Sequence, residues 1–378
     1  MTAIKGIELL PPKVTISQAL HLYQKIAKIK SSVGELNAEL EHSVVNTQLI
    51  QMLTLNESVQ STRIEGTQVT FADMIEEATK KNKSTEVVEV ENYMEALSNG
   101  IALIKGGHPI SSRLIRLLHK ELMGRNTRGT TSAAGEFRAI QNFIGPTNRI
   151  EDAVYIPVGA HEISDYMTNL EYYINDEAHP SFQKEVNSDF EVLLDEKSDP
   201  LIKTAILHAQ FESIHPFLDG NGRMGRILIV LSTMKDGLIN QPVFFVSEEL
   251  EKERIRYYNL LNGVRGKDAD WFSWIDFFLD ACQRMTENML KKLAAITNLA
   301  SAGLKMIDMP RHSINDIWLT TFTKPYTTVS EVAKTLHIGV STARNGLNRL
   351  VELRLIDVDK AKRKNKVYVN YDLLRTLR

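Results

Sequence analysis

Apolar positions in the N-terminal third recur at helical spacing. Leu20, Tyr23, Ile26 and Ile29 predict one face of a helix that starts behind Pro11 and Pro12. A second helix is expected from about Ser43 to Glu65, where Gly66 halts it. Thr70 opens another, with Asp73 placed as its capping-box partner. Pro109 and Ser111 precede a helix through Leu117, Leu118 and Leu122. Between Gly129 and Pro157 the texture changes. Gly129, Gly135, Gly145, Pro146 and Asn148 interrupt it, and Ala153, Val154, Tyr155 and Ile156 alternate, which predicts a loop with a short β-hairpin. Helices resume near Glu162. Asp199 and Pro200 make an N-cap and first-turn pair for a helix carrying Ile202, Ala205, Ile206 and Ala209, running to about Ile214. The next helix is expected from Gly222 or Arg223. Helical texture continues through Trp271 and Trp274 to about Leu299, and Ser301 to Pro310 reads as the join to a last domain.

In that last domain Val329, Val332, Ala333 and Leu336 fit a short helix, and His337, Ile338 and Gly339 fit a turn. Ser341 is the expected cap of a second helix bearing Ala343, Leu347, Leu350 and Leu353. Ile356 to Val358, the basic run Lys360 to Lys366, and Val367 to Val369 then read as a two-stranded wing. The texture is that of a winged helix-turn-helix. Such domains bind DNA, here through Arg344, Asn345, Asn348 and Arg349, or dock proteins, and the sequence leaves both open.

Charge sharpens the division. Residues 301–378 hold fourteen lysines and arginines against seven acids, a net of +7, while the preceding residues carry 31 basic and 40 acidic side chains, a net of −9. A basic tail on an acidic body suits separate partners for the two parts. Cys282 is the single cysteine, which excludes an intrachain disulfide or a cysteine metal cluster. No apolar run approaches membrane-spanning length, and MTAIKGIELLPPK lacks the apolar stretch of about 7–15 residues that a secretion signal needs. A cytoplasmic protein without a membrane partner is expected.

The strongest chemical signal lies between two predicted helices, where His215 to Arg226 reads HPFLDGNGRMGR. Pro216 ends the first helix. Gly220 and Gly222 allow positive φ and close approach of a ligand to the main chain. The loop runs into a helix N-terminus, where free N–H groups and the helix dipole favour an anion. Arg223 and Arg226 lie three residues apart on one face, which suits a polyphosphate. Asp219 offers a hard carboxylate to Mg²⁺, and His215 titrates near neutrality and can take a proton. The loop is not a Walker A motif, because no Gly-Lys-Ser/Thr closes it. A zinc site on His208 and His215 lacks a third nearby ligand or an HExxH pattern.

Nine positions of this loop match HPFxDGNGRxxR, and the segment resembles the signature of the Fic family of protein adenylyltransferases. The resemblance implies a mainly α fold: a helical core with a small β-hairpin flap, to which the winged helix is appended. It implies residues 1–108 as an N-terminal helical region, 109–300 as the catalytic core and 301–378 as the winged-helix domain. It also implies transfer of AMP from ATP to a Ser, Thr or Tyr hydroxyl of a target protein, the chain itself included. His215 would be the general base, with Gly220, Asn221 and Gly222 forming the anion hole. Asp219 would hold Mg²⁺, and Arg223 and Arg226 would grip the β- and γ-phosphates. Gly135 to Arg138 followed by Gln141 to Gly145 is similar to the start of the family flap, placing Ile144 and Gly145 near the nucleotide, and Tyr257 resembles an aromatic beside the adenine. Ser61-Thr62-Arg63-Ile64-Glu65-Gly66 matches the family's inhibitory motif, in which Glu65 would reach Arg226. A nucleotide-sensing DNA-binding regulator, removal of AMP, and a different nucleotide-linked donor remain alternatives, as does a homo-oligomer.

Overall fold

The computed structural model describes residues 3–42, 46–71, 73–74, 82–124, 133–147, 149–185, 188–307, 312–358 and 366–377. The chain forms two compact units, one from residues 1–33 and 55–286, the other from 34–54 and 287–378.

The first unit is built around two buried helices, α6 (Pro200–Ile214) and α7 (Asn221–Lys235). Every residue from Leu201 to Ile214 is buried, and so is most of α7. A helix apolar or small on all sides is stable only when other helices cover it completely. Those neighbours include α3 (Thr85–Lys105), α4 (Ser112–Leu122), α5 (Ile163–Ile174) and α9 (Arg254–Gly263). Gly100 of α3 lets Leu231 and Leu118 approach so closely that a Cβ there would lie 2.9 and 3.0 Å from them. As the sequence predicted, Asp199 caps α6, accepting from the Leu201 N–H at 3.0 Å, with Pro200 in the first turn. From α10 (Trp271–Ile307), Trp274 donates its indole N–H to the Ala205 carbonyl at 2.8 Å.

The helices α1 (Ile16–His42) and α2 (Asn46–Ile64) begin the helical part of the chain. The buried stripe of α1 is Ala19, Leu22, Ile26, Ile29, Val33, Leu36 and Leu40. Leu20 and Tyr23, expected on that stripe, are 60% and 45% exposed. The predicted phase was therefore set by two apolar residues on the outer side. Thr70 and Asp73 exchange the expected reciprocal bonds, at 2.8 and 3.2 Å.

Strand content is small. β1 (Ile4–Lys5) pairs in parallel with β3 (Tyr155–Ile156), and β2 (Lys13–Thr15) pairs antiparallel with β4 (Glu191–Leu193). In place of the hairpin predicted between 129 and 157, Ile144 makes a single antiparallel bridge to Tyr155. A 3₁₀ turn at Ile150–Asp152 and the Gly145-Pro146 pair interrupt any longer ladder.

The second unit contains α11 (His312–Thr320), α12 (Val329–Thr335), α13 (Val340–Glu352) and α14 (Tyr371–Leu377). It also holds an antiparallel sheet in the order β5 (Tyr326–Thr328), β7 (Val367–Val369), β6 (Asp357–Val358). The two helices expected on either side of the 337–339 turn are present as α12 and α13. Thr328 and Glu331 form a capping box on α12. Gly339, not Ser341, is the N-cap of α13, because the helix starts at Val340, two residues earlier than a cap at Ser341 implies. Of the basic run between the two C-terminal strands, only Lys366 is among the described residues.

Candidate active site

His215 ends α6 in the left-handed conformation, at φ 50° and ψ 59°. That geometry is unusual for a residue with a Cβ and points to a site held by its surroundings. Two buried arginines supply the hold. Arg138 donates from Nε to the His215 carbonyl at 2.9 Å and from Nη2 to the carbonyls of Val158 and Ile214 at 2.6 and 3.4 Å. Arg265 stacks over Tyr155 at 4.0 Å and donates to Ser213 Oγ and the Glu212 carbonyl. Both cations sit at the carbonyl end of α6, where the helix dipole favours them.

They also shape His215. Its Nδ1 lies 3.3 Å from the Glu212 carbonyl, which fixes Nδ1 as the protonated nitrogen and leaves the Nε2 lone pair available. Burial first, then the charges of Arg265 and Arg138, push the imidazole down to about 4, so it is neutral at physiological pH. A neutral, half-buried imidazole with its outer nitrogen unpartnered among the described residues is a proton acceptor awaiting a donor.

The loop beyond it is closed by its own side chains. Asn221 accepts from the Phe217 N–H and donates to the Phe217 carbonyl, both at 2.9 Å. Its side chain is thus scaffold, and any anion must be met by its backbone. Phe217 stacks flat on His119 of α4, with ring centroids 3.6 Å apart. His119 in turn accepts from the Gly135 N–H through Nδ1 at 3.0 Å and donates through Nε2 to the Asp219 carbonyl at 2.9 Å. Burial pushes its imidazole down to about 4, which keeps the acceptor nitrogen free of a proton. Gly220 has φ 77°, and a Cβ there would strike Met123 Sδ at 2.7 Å.

At the start of α7 the first backbone bond is Met224 N–H to Gly220 O, so the N–H groups of Asn221, Gly222 and Arg223 have no acceptor within the helix. Arg223 is 5% exposed, yet its Nε and Nη1 have no hydrogen-bond partner among the described residues. Nη2 makes only a 3.6 Å contact with Met123 Sδ and lies 3.8 Å from Asp219. A buried guanidinium with unmet donors is costly unless an anion completes it. Asp219 is half exposed. Its Oδ1 accepts from the Gly220 N–H at 2.6 Å, and Oδ2 has no partner among the described residues.

Arg226 is fully engaged. Its Nε donates to Ser61 Oγ at 2.8 Å, and its Nη2 donates to Ser61 O at 3.0 Å and to Glu65 Oε1 at 2.6 Å. A Cβ at Gly222 would collide with that same Glu65 oxygen, so the carboxylate lies against the first turn of α7. Burial pushes Glu65 up, but Arg226, then Arg223 and His215, outweigh it and hold the carboxyl below its ordinary range. Gly66 follows with φ 92°, the left-handed turn expected after a helix.

The flap residues are placed less directly. Ile144 exchanges main-chain bonds with Val154 and Tyr155 at 2.8 Å. Gly145 is required by that turn itself, since a Cβ would lie 2.7 Å from the Asp152 carbonyl. Asn142 Nδ2 reaches the Leu218 carbonyl of the loop at 3.4 Å. Tyr257 is 1% exposed, with its hydroxyl 2.9 Å from His208 Nε2 and its ring packed among Trp274 and Tyr258. It stands in the core, and the adjacent Tyr258, 39% exposed, presents a ring outward. His208 faces Tyr257, not His215, and no group of three potential metal ligands occurs among the described residues. The positioning roles of His119, Arg138 and Arg265 escaped the sequence reading. Arg138 stood out only within Gly-Glu-Phe-Arg, and the other two carry no local pattern.

Comparison with known proteins identifies the family. The Fic/DOC family model matches residues 109–232, and the Fic/DOC family N-terminal model matches residues 23–102. Protein adenylyltransferase fic-1 of Caenorhabditis briggsae is 26% identical over 177 residues, which is 47% of this chain and 28% of that protein. The Caenorhabditis elegans fic-1 protein is 24% identical over 246 residues, 62% of this chain and 42% of that protein. The chain thus spans well under half the length of these relatives. A Fic family protein from Desulfovibrio desulfuricans G20 has the same fold, with a TM-score of 0.56 at 19% identity over 96% of this chain and 98% of that one. A Fic domain containing signaling protein from Bacteroides thetaiotaomicron VPI-5482 aligns with a TM-score of 0.51 at 18% identity, over 72% of this chain and 96% of that one. With the two family models together covering more than half of its residues, the chain belongs to the Fic/DOC family.

Proposed function

We propose that this protein transfers AMP from ATP to a hydroxyl side chain of a protein and that Glu65 holds the activity down in cis. The observation that carries the first part is the pairing of a neutral His215 with the start of α7, where the buried Arg223 keeps Nε and Nη1 without a partner among the described residues. Nε2 of His215 removes the proton as the hydroxyl oxygen attacks the α-phosphorus, and the bond to the β-phosphate breaks to release pyrophosphate. The backbone N–H groups of Asn221, Gly222 and Arg223 and the unpaired nitrogens of Arg223 meet the phosphate oxygens. Asp219 fits a Mg²⁺ ion, because one free carboxylate oxygen beside a phosphate site is the donor set this cation takes. Bound there, Mg²⁺ would neutralise phosphate charge. The open edge beyond the Ile144–Tyr155 bridge offers the target backbone a strand to pair with.

Arg226, given by the sequence to the γ-phosphate, is taken by Ser61 and Glu65. Productive ATP binding therefore requires Glu65 to yield. The test is incubation of purified protein and cell lysate with labelled ATP, followed by mass spectrometry of the labelled proteins. Adenylate on Ser, Thr or Tyr side chains is the expected result, and label confined to noncovalent nucleotide would overturn the proposal.

For the second unit we propose duplex DNA as the partner. Arg344, Asn345, Asn348 and Arg349 are all exposed on one face of α13, and the tail carries the net +7. A gel shift should show binding that weakens steeply between 50 and 200 mM salt, roughly 10³-fold or more for six or more phosphate contacts. Arg344→Ala and Arg349→Ala together should weaken it further. Absence of a shift at low salt would favour protein docking.

A further inference from the structure

On α2, two turns before Glu65, stands a second carboxylate that the chemistry above does not use. Glu57 and Ser61 fall at i and i+4 on one face of α2, and Glu65 follows directly after the helix ends at Ile64. Ser61 and Glu65 hold Arg226. Glu57 is 2% exposed, and its Oε1 accepts from the Ser247 hydroxyl at the start of α8 (Ser247–Lys252) and from the Tyr93 hydroxyl of α3 at 3.3 Å. Tyr93 itself is fully buried. Glu57 thus fastens the helix that carries Glu65 to two other elements of the same unit.

We propose that Glu57 is a positioning residue that seats the inhibitory segment through its buried carboxyl, and that proton loss from this carboxyl loosens the seat. This deepens the autoinhibition reading and rests on it. The charged and titratable groups around Glu57 can be named element by element. Tyr93 faces it from α3. Arg226 reaches it from α7. On α8, Glu249 follows Ser247 by two residues and is engaged by Arg284 and Lys252. Burial is the largest influence and pushes Glu57 up, and the Ser247 bonds and Arg226 offset only part of that, leaving it at about 7.

The sign follows from linkage. A carboxyl with its value raised in the docked state binds a proton more tightly there than when solvated. Docking is therefore favoured at low pH, and the advantage is lost as pH rises from about 4.5 to about 7. Between pH 6 and pH 8 the docked state should weaken by about tenfold at most. His215 contributes nothing to this window, since its acid form is already absent there. Glu212, pushed up to about 7 by burial, titrates in the same range but is common to every variant compared.

The experiment compares the wild type with Glu57→Gln, each also in a Glu65→Gly background, in the full chain at pH 6 to 8. Adenylylation by the wild type should rise about 3- to 10-fold more across this range than that of Glu57→Gln. In the Glu65→Gly background the two profiles should coincide, because no inhibitory contact remains to be seated. Glu57→Gln keeps an oxygen for Ser247, so its fold should persist. Tm measured over the same range gives a readout that needs no catalysis. The wild type should lose stability toward pH 8 relative to Glu57→Gln. Matching pH profiles of both activity and Tm would overturn the role of Glu57. If no variant adenylylates, the Tm difference still decides whether Glu57 is the titrating seat, while the failure falls on the proposed reaction. A Glu57→Gln effect that persists in the Glu65→Gly background would also overturn the proposal, since it would act on catalysis and not on inhibition.

Discussion

His215→Ala is expected to lower AMP transfer by about 10²–10⁴-fold, the usual contribution of a general base, while leaving ATP binding nearly intact. The ring makes one weak hydrogen bond among the described residues, 3.3 Å from Nδ1 to the Glu212 carbonyl, and is only partly buried, so its removal should leave the fold standing. The backbone at this position is the concern, because φ is 50°. Asn tolerates the left-handed region better than Ala and cannot accept a proton at neutral pH. His215→Asn should therefore fold at least as well as His215→Ala and be equally inactive. Retention of the three N–H groups of α7 and of Arg223 means that both variants should still bind ATP, which fluorescence of a labelled nucleotide would show. Wild-type rates of transfer in either variant would refute the assignment of the base. So would an equal loss of nucleotide binding, because the defect would then lie in the loop and not in proton removal.

How far the site could be read from the chain depends on whether its chemistry is local. Pro216, Gly220, Asp219, Arg223 and Arg226 act through the turn and helix that they themselves build, so twelve consecutive residues sufficed to place them. Ser61 and Glu65 were legible as a pattern, but only the fold brings them onto Arg226, 161 residues from Glu65. His119 and Arg265 lie 100 and 53 residues from the carbonyls they bond, and no periodicity announces a stacked histidine or a carbonyl-capping arginine. β1, β2 and β4 were missed because they are two or three residues long and pair across as many as 180 positions, as Lys13 does with Leu193. Tyr257, which the resemblance likens to an aromatic beside the adenine, has its hydroxyl on His208 and its ring against Trp274, contacts that only the fold supplies.

Glu65→Gly should raise adenylylation, self-modification included, by at least about tenfold. The carboxylate closes the last turn of the segment through Ile64 and faces the C-terminal dipole of its own helix, which opposes it by about 0.3–1 kcal/mol. Arg63 is too near in sequence to face it. Its compensation comes from Arg226 at 2.6 Å, and the same oxygen lies against Gly222, where a phosphate would meet the first turn of α7. A charge-assisted pair contributes about 1.5–3 kcal/mol when shielded from water. The Glu65 side chain is 36% exposed, so solvent screening places this one near the lower end, about 1.5 kcal/mol, equivalent to roughly tenfold in occupancy of the open site. Glycine removes the anion and the obstruction together. Ser61 still holds Nε and one N–H of Nη2, so the guanidinium stays in place with the other Nη2 N–H released for the γ-phosphate. Arg226→Ala should not reproduce the gain, because it deletes the phosphate contact along with the inhibitory one. Incorporation of labelled AMP by wild type, Glu65→Gly, Arg226→Ala and Glu65→Gly/His215→Ala, measured side by side, separates these effects. The double variant should fall back to the level of His215→Ala. Equal incorporation by wild type and Glu65→Gly would refute autoinhibition by Glu65 and leave the catalytic role of His215 standing.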